Sequence, residues 1–444
     1  MLLQFSVKNF KTFKDKVTLS LIASNYDKDT RARENIINDT TFNFRALKSA
    51  VIYGANASGK SKFLEAIAFM RHFVMNSSKE SQKGESIEVD PFRLNKETES
   101  EPSEFEIVFV HKDELFRYGF EATKEKVVSE WLFHRPKTKE IELFYRDGSQ
   151  FETHERKFTK GSMVVKEGLV RDNALLVSVA AQFNEKSAIN VIEWFKALKF
   201  LYGLNEMGYQ GFTMSKTESP AQKIKILELL KAADFGIQDI KLQKVDIDKL
   251  PKGMSNDMRE AILRKIKEEN ASFVADVLMI HKKYDSNKQI VDHVEFSIDE
   301  DESSGTRKFF ALIGPILDVI ENGYTLVVDE LDSKLHPNLV CKIVALFNSK
   351  EFNTKNAQLI FNTHDTNLLS SGLFRRDQIW FTNKDRYGEA KLYSLADFKS
   401  NEVKKNEPFE DNYIRGKYGA IPYLGFFDNL KFNWSEYENE KQSN

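Results

Sequence analysis

Cysteine is nearly absent from this chain, a single Cys341 in 444 residues, and that scarcity removes two classes of function. One thiol can build neither a disulfide framework nor a cysteine-based zinc site within one chain. Its neighbours at 339–344 are mostly apolar, which reads as a buried, inert thiol. Long apolar runs are missing too. The longest fall well short of the roughly 20 residues that cross a bilayer, so no membrane partner is expected. The opening Met1-Leu2-Leu3-Gln4-Phe5-Ser6 alternates like a strand and lacks the basic start and small-residue cleavage site of a signal peptide, which points to the cytoplasm. An excess of one charge is also lacking. Lys and Arg number 65 against 67 acidic residues, a formal net charge of -2, so only a local basic face could attract nucleic acid.

Hydrophobic residues make up 41 % of the chain, enough for substantial cores, and no internal repeat is visible. Residues 3–7 and 17–21 read as two strands joined by a turn, and 25–43 as a polar surface loop. Residues 50–53 are a short β-rich run, and 63–75 carry apolar residues at helical spacing. Alternation from 105 to 145, continued at 164–170, predicts an antiparallel meander. Helical patterns follow at 188–201, 221–233 and 255–273. Strands return at 276–284 and 291–298, and an apolar helix at 308–321. The runs 324–328 and 358–362 are continuous and apolar, as in strands buried on both faces. The pattern is an α/β nucleotide-binding core split by a mixed β and helical insertion, with units at 1–173, 174–270 and 271–444.

Gly54-Ala55-Asn56-Ala57-Ser58-Gly59-Lys60-Ser61 lies between the short strand and the amphipathic helix. Glycines permit positive φ and close approach, so backbone N–H groups can surround a phosphate while the helix N-terminus faces it. This predicts ATP binding, with Lys60 on the β- and γ-phosphates, Ser61 on Mg²⁺ and Lys62 beside the loop. Thr325-Leu326-Val327-Val328-Asp329-Glu330 ends a buried strand in two carboxylates, where ligands of parallel sheets bind. Asp329 is expected on Mg²⁺ and Glu330 as the base that polarises water. Asp332 follows, placed to bridge between sites across a dimer, while His336 reads as structural. Ser303, Ser304 and Gly305 precede the helix near Lys308, either as a plain N-cap or as a phosphate sensor. His364 ends the strand 360–362 and its loop, a candidate for reading the γ-phosphate.

In that order, the glycine loop, Ser-Ser-Gly-Thr, Val-Val-Asp-Glu and Thr-His-Asp resemble the ABC-type ATPase superfamily. The similarity is to its soluble branch, with SMC-like heads and the ATPase half of the overcoming-lysogeny-defect nucleases. The narrower resemblance is to bacterial AAA-annotated ATPases of the abortive-infection AbiL and RloA kind. Val7-Lys8-Asn9-Phe10-Lys11-Thr12-Phe13, Asp377-Gln378-Ile379-Trp380-Phe381 and Gly416-Lys417-Tyr418-Gly419-Ala420-Ile421-Pro422 carry it further. The resemblance implies an ABC-type P-loop ATPase head, a mixed sheet core with an antiparallel β subdomain, and an inserted helical arm. It also implies a head-to-tail dimer with ATP at the interface, where Ser303 and Gly305 meet the γ-phosphate on the partner's Lys60. Lys11 and Thr12 would approach adenine. The signature here is Glu302-Ser303-Ser304-Gly305-Thr306, which lacks the second glycine of Leu-Ser-Gly-Gly-Gln. Gln82 stands in a plausible region for the glutamine that links nucleotide to the arm.

Four functions compete. A soluble ATP-driven switch in antiphage defence, controlling a separate effector protein, is favoured over a transporter subunit by the 242 positions between Ser61 and Ser303. A self-contained nuclease is disfavoured, because only 80 residues follow His364 and their acids Asp377, Asp385, Asp397, Glu407, Glu410 and Asp411 are scattered. A DNA-repair or SMC-like ATPase acting on nucleic acid stays open through the lysines at 223, 225, 231, 241, 244, 249 and 252 with Arg264, Lys265 and Lys267, although their mixture with acids suits a solvated face.

Overall fold

The computed structural model describes residues 1–25, 27–80, 82–202, 207–244, 274–399, 402–404 and 407–423. The helix expected at 255–273 lies outside the described residues, as do Lys249, Lys252, Arg264, Lys265 and Lys267.

A six-stranded sheet forms the centre, in the spatial order Leu198–Tyr202, Thr325–Asp329, Gln358–Asn362, Ser49–Gly54, Ile379–Lys384 and Ala390–Ser394. The first five run parallel and the last is antiparallel. Two of these strands, Ser49–Gly54 and Gln358–Asn362, are buried at every position. Successive side chains point to opposite faces, and both faces are covered, which explains the absence of polar alternation. Ala50, Ile52, Val327 and Ile360 join one core, while Val51, Tyr53, Leu326, Val328, Leu359 and Phe361 join the other.

The first core contains the helix Lys60–Asn76 and a seven-stranded antiparallel sheet built mainly from residues 2–20 and 103–153. Aromatic pairs bind helix to sheet: Phe5 with Phe63 at 5.5 Å, Phe69 with Phe105 at 5.0 Å, Phe73 with Phe120 at 5.4 Å. The second core packs the helices Ser304–Asn322 and Pro337–Asn348 on the other face. A three-stranded antiparallel sheet, Ile237–Lys244, Val274–Tyr284 and Ile290–Ser297, packs through Ile237, Ile240, Val277 and Met279 into that core.

Three elements depart from the sequence reading. The run 164–170 is not strand: Thr159–Lys166 is a helix, and the Glu185 carboxylate accepts the N–H groups of Lys160 (2.9 Å) and Gly161 (3.2 Å) at its start. That cap comes from 24 residues beyond Gly161 and leaves no local signal. The helix read at 188–201 stops at Ala197, and Leu198–Tyr202 becomes an edge strand of the central sheet. A stretch read as helical arm from 174 thus contributes to the core, because a parallel partner distant in sequence, Thr325–Asp329, satisfies its backbone. The loop read at 25–43 contains the short helix Ala32–Asn35, and Ile36–Asp39 pairs with Phe44–Leu47.

Gln358, fully buried, fastens the two large sheets together. Its side-chain oxygen accepts the Leu2 N–H (2.6 Å), and its amide donates to the carbonyls of Leu2 (3.0 Å) and Leu47 (2.9 Å). Removing it strands three buried backbone groups. Gln358→Ala should lower unfolding stability by roughly 2–4 kcal/mol, read as a shifted urea midpoint of tryptophan fluorescence; an unmoved midpoint would show that the sheets are held by packing alone.

Candidate functional site

The strand Ser49–Gly54 delivers the glycine loop to the carboxyl edge of the sheet, and the helix Lys60–Asn76 leaves from it. Two glycines permit the turn. Gly54 has φ +156°, and a Cβ there would lie 2.5 Å from Ser58 Oγ and from Thr382 O. Gly59 has φ +115°, with Thr12 Oγ1 3.1 Å from where its Cβ would stand. Both are cradles that a side chain would fill. Ala57 also adopts positive φ at 59°. Ser58 is buried, and its hydroxyl shares a 2.7 Å hydrogen bond with Thr382 on the neighbouring strand.

Lys60 is 6 % exposed and donates to the carbonyls of Gly54 (2.7 Å) and Ala55 (3.1 Å). Burial pushes its ammonium down to about 8, against the opposing pull of Asp332, Glu330 and Asp329. Those three acids act on it because a single strand separates the loop strand from the acidic strand. That strand is Gln358–Asn362, and its last residue joins the site together. Asn362 is 1 % exposed. Its amide nitrogen donates to Asp329 Oδ1 (2.5 Å) and to Ser61 Oγ (3.4 Å), and its oxygen accepts the Glu330 N–H (2.5 Å). Glu330 has φ +56°, a left-handed conformation uncommon outside glycine and concentrated at functional sites. Sequence reasoning passed over Asn362, which carried no signal beyond its place at the end of an apolar run; Thr382 was likewise unmarked.

Asp332 turns back into its own chain. Its Oδ2 accepts the His364 N–H (3.2 Å), while its Oδ1 is buried with no hydrogen-bond partner. The His364 side chain is exposed at the end of the loop. Ser303 caps the helix Ser304–Asn322, accepting the Thr306 N–H at 3.1 Å. Gly305 faces the acidic loop, where an added Cβ would stand 3.3 Å from Lys334 O. Glu302 is tied to His281 of the three-stranded sheet at 2.6 Å, so the signature is anchored on its other side.

Lys11 and Lys62 both pair with Glu65 on the loop helix, Lys62 at 2.7 Å. Thr12 Oγ1 is buried without a partner beside Gly59. Gln82 lies beyond the far end of the loop helix, its N–H bonded to Glu85. From the C-terminal side, Tyr413 stacks near Tyr53 (5.6 Å) and Phe381 (5.4 Å), and Glu410 accepts a 2.9 Å bond from Thr366. Cys341 is half-buried, with its thiol pushed up by burial. Among the scattered acids, Asp377 pairs with Arg375, Asp397 accepts the Ser394 N–H, and Glu407 holds Lys417 and Tyr418, all contacts of local structure. Lys223, Lys225 and Lys241 are each paired with a carboxylate, as suits a solvated face of mixed charge.

The residues fit a phosphate and a hard divalent cation. A buried cation, a helix N-terminus and two glycine cradles suit an anion that only backbone can approach. Ser61 Oγ and Asp329 offer oxygen donors, few enough that phosphate and water would complete a magnesium shell. Among the described residues no cluster of three His, Cys, Asp or Glu is placed to hold a metal by itself. No helix of the described residues is long and apolar enough to cross a membrane.

A family described as "AAA domain, putative AbiEii toxin, Type IV TA system" matches the chain over residues 49–370. The match opens at the first residue of the loop strand and takes in the loop, the signature, the acidic pair and His364. No curated protein matches the chain.

The depressed Lys60 makes a signed prediction. A folded pKa near 8, below the unfolded value of 10.5, means the unfolded chain holds the proton more tightly between those limits. Relative to Lys60→Met, the stability of the wild-type protein should rise as pH increases from 8 to 10.5 and be flat below 8. Parallel denaturation series across that range would expose an error in the assigned environment if the difference did not change.

Proposed function

Because the chain belongs to this family of AAA domains, we propose that it binds and hydrolyses ATP with Mg²⁺ and works as a switch built on an ABC-type head. The observation that carries the reading is the meeting of Ser61, Asp329 and Glu330 at the carboxyl edge of the parallel sheet, joined through the Asn362 side chain. The spatial order of strands supports it, since the strand leading to His364 lies between the loop strand and the acidic strand.

On this reading the loop residues Gly54 to Lys62 hold the triphosphate, with Lys60 leaving the Gly54 and Ala55 carbonyls for phosphate oxygens. The incoming negative charge relieves the cost of burying that ammonium. Ser61 and Asp329 hold Mg²⁺, which when bound neutralises charge on the phosphates. Glu330 orients and deprotonates the attacking water, and His364 reads the γ-phosphate. Lys11 and Thr12 lie on the adenine side, where the unpartnered Thr12 hydroxyl gains a bond.

The signature belongs to a second copy. The Ser303 hydroxyl is committed to its own helix cap, so the N–H groups around Ser303, Ser304 and Gly305 are what the partner's nucleotide would meet. Asp332, bonded to the His364 N–H and close in charge to Lys60, then links the switch loop to that interface. Such a dimer acts in the cytoplasm as the ATPase component of an antiphage, abortive-infection system, of the AbiL and RloA kind, and controls a separate effector. The family description, a toxin–antitoxin context, supports this over an SMC-like ATPase acting on nucleic acid.

Glu330→Gln should keep ATP binding, lower turnover by roughly 10²–10⁴-fold and accumulate an ATP-bound dimer, whereas Lys60→Ala should lose nucleotide. Fluorescent-ATP binding, phosphate release and light-scattering mass read the three effects. Hydrolysis by the Glu330→Gln variant at the wild-type rate would remove Glu330 from its role.

A further inference from the structure

We infer that Asn362 is the positioning residue of the hydrolytic centre, a neutral amide that fixes the Asp329 carboxylate, the Glu330 backbone and the Ser61 hydroxyl in one arrangement. The inference rests on the ATPase reading and names the group that makes its parts act together.

An asparagine side chain offers two N–H donors and one acceptor oxygen. Here both kinds are committed within a single corner of the molecule. Nδ2 donates to Asp329 Oδ1 at 2.5 Å and to Ser61 Oγ at 3.4 Å, and Oδ1 accepts from the Glu330 N–H at 2.5 Å. The Asn362 main-chain carbonyl adds a fourth tie, accepting the Leu331 N–H at 3.3 Å. With 1 % exposure the side chain is shielded from bulk water, so it acts through its neighbours.

Each bond settles a question the neighbours leave open. The bond to Asp329 Oδ1 selects one carboxylate rotamer and leaves Oδ2 out of that bond, free to face a cation. The bond to Ser61 Oγ occupies one lone pair of the hydroxyl and leaves the other for the same cation. The bond to the Glu330 N–H holds a non-glycine residue at φ +56°, and that φ sets the direction in which the Glu330 carboxylate leaves the chain. Metal-side and water-side residues therefore share one anchor. Supporting partners of this kind orient metal ligands and tune them.

The chemistry also restricts the residue type. An aspartate in the same shape would set a second carboxylate against Asp329, and two carboxylates at that spacing cannot both stay ionised. A leucine keeps much of the volume and loses all three bonds. Only the amide supplies donors to Asp329 and Ser61 and an acceptor to Glu330 without adding charge.

The test uses the full chain and the variants Asn362→Asp and Asn362→Leu. Fluorescent-ATP affinity is measured in EDTA and again in a Mg²⁺ titration, alongside turnover and the thermal midpoint. Affinity without Mg²⁺, which reports the loop, should stay within about twofold, while the Mg²⁺ concentration for half-maximal effect should rise by roughly 10–100-fold, with turnover falling by a similar factor. A folded variant that keeps both Mg²⁺ dependence and turnover at wild-type levels overturns the inference. So does loss of Mg²⁺-free affinity together with the fold, which would make Asn362 a structural residue. Wild-type protein that fails to bind or hydrolyse ATP would instead overturn the ATPase reading on which the inference stands.

Discussion

The middle strand, Gln358–Asn362, is the constraint on which the rest depends. It pairs in parallel with the loop strand on one side and the acidic strand on the other, and every one of its residues is buried. A strand in that position has no solvent to satisfy polar side chains, yet it carries an amide at each end. Gln358 at the start holds the antiparallel sheet against the core through the Leu2 and Leu47 backbone. Asn362 at the end holds the acidic turn and the serine of the loop. Buried amides of this kind cost heavily when unpaired, so their bonds fix register as well as position. A slip of one residue would put both amides into apolar cores and break the site and the sheet junction together.

Charge at the site is arranged around one cation. Lys60 is drawn toward neutrality by burial and toward protonation by Asp332, Glu330 and Asp329. Burial is the larger effect, and the ammonium leans on two loop carbonyls. Three acids round one lysine leave the corner with an excess of negative charge, unfavourable for a polyanion by itself. A divalent cation on Asp329 and Ser61 would reverse that balance, so nucleotide is expected to bind more tightly with the metal than without it.

Most of this was visible in the sequence wherever the determining contacts are local. The loop, the helix after it, the acidic pair and the Ser303 cap each lie within a few residues of what they need, and pattern alone placed them. The misses share a physical cause. Leu198–Tyr202 looks helical until Thr325–Asp329, far along the chain, takes up its backbone, and 164–170 looks extended although the helix Thr159–Lys166, capped by Glu185, runs into it. Asn362 sat in plain view, close to a histidine singled out as a switch, but its significance consists entirely of bonds to residues 33 and 301 positions away. Local periodicity reports which face is buried; it is silent on which buried amide meets which carboxylate.

The C-terminal segment shows how far such long-range contacts reach. Tyr413 packs on Tyr53 and Phe381, and its hydroxyl donates to the Ala420 carbonyl at 3.1 Å. Earlier in the same short helix, Phe409–Ile414, Glu410 accepts the Thr366 hydroxyl just beyond His364. One short helix therefore packs against the strand that leads into the glycine loop and bonds to the loop after His364, although it falls outside the span of the family match. A displacement of the loop after His364 would therefore have to carry the Thr366–Glu410 bond with it or break it.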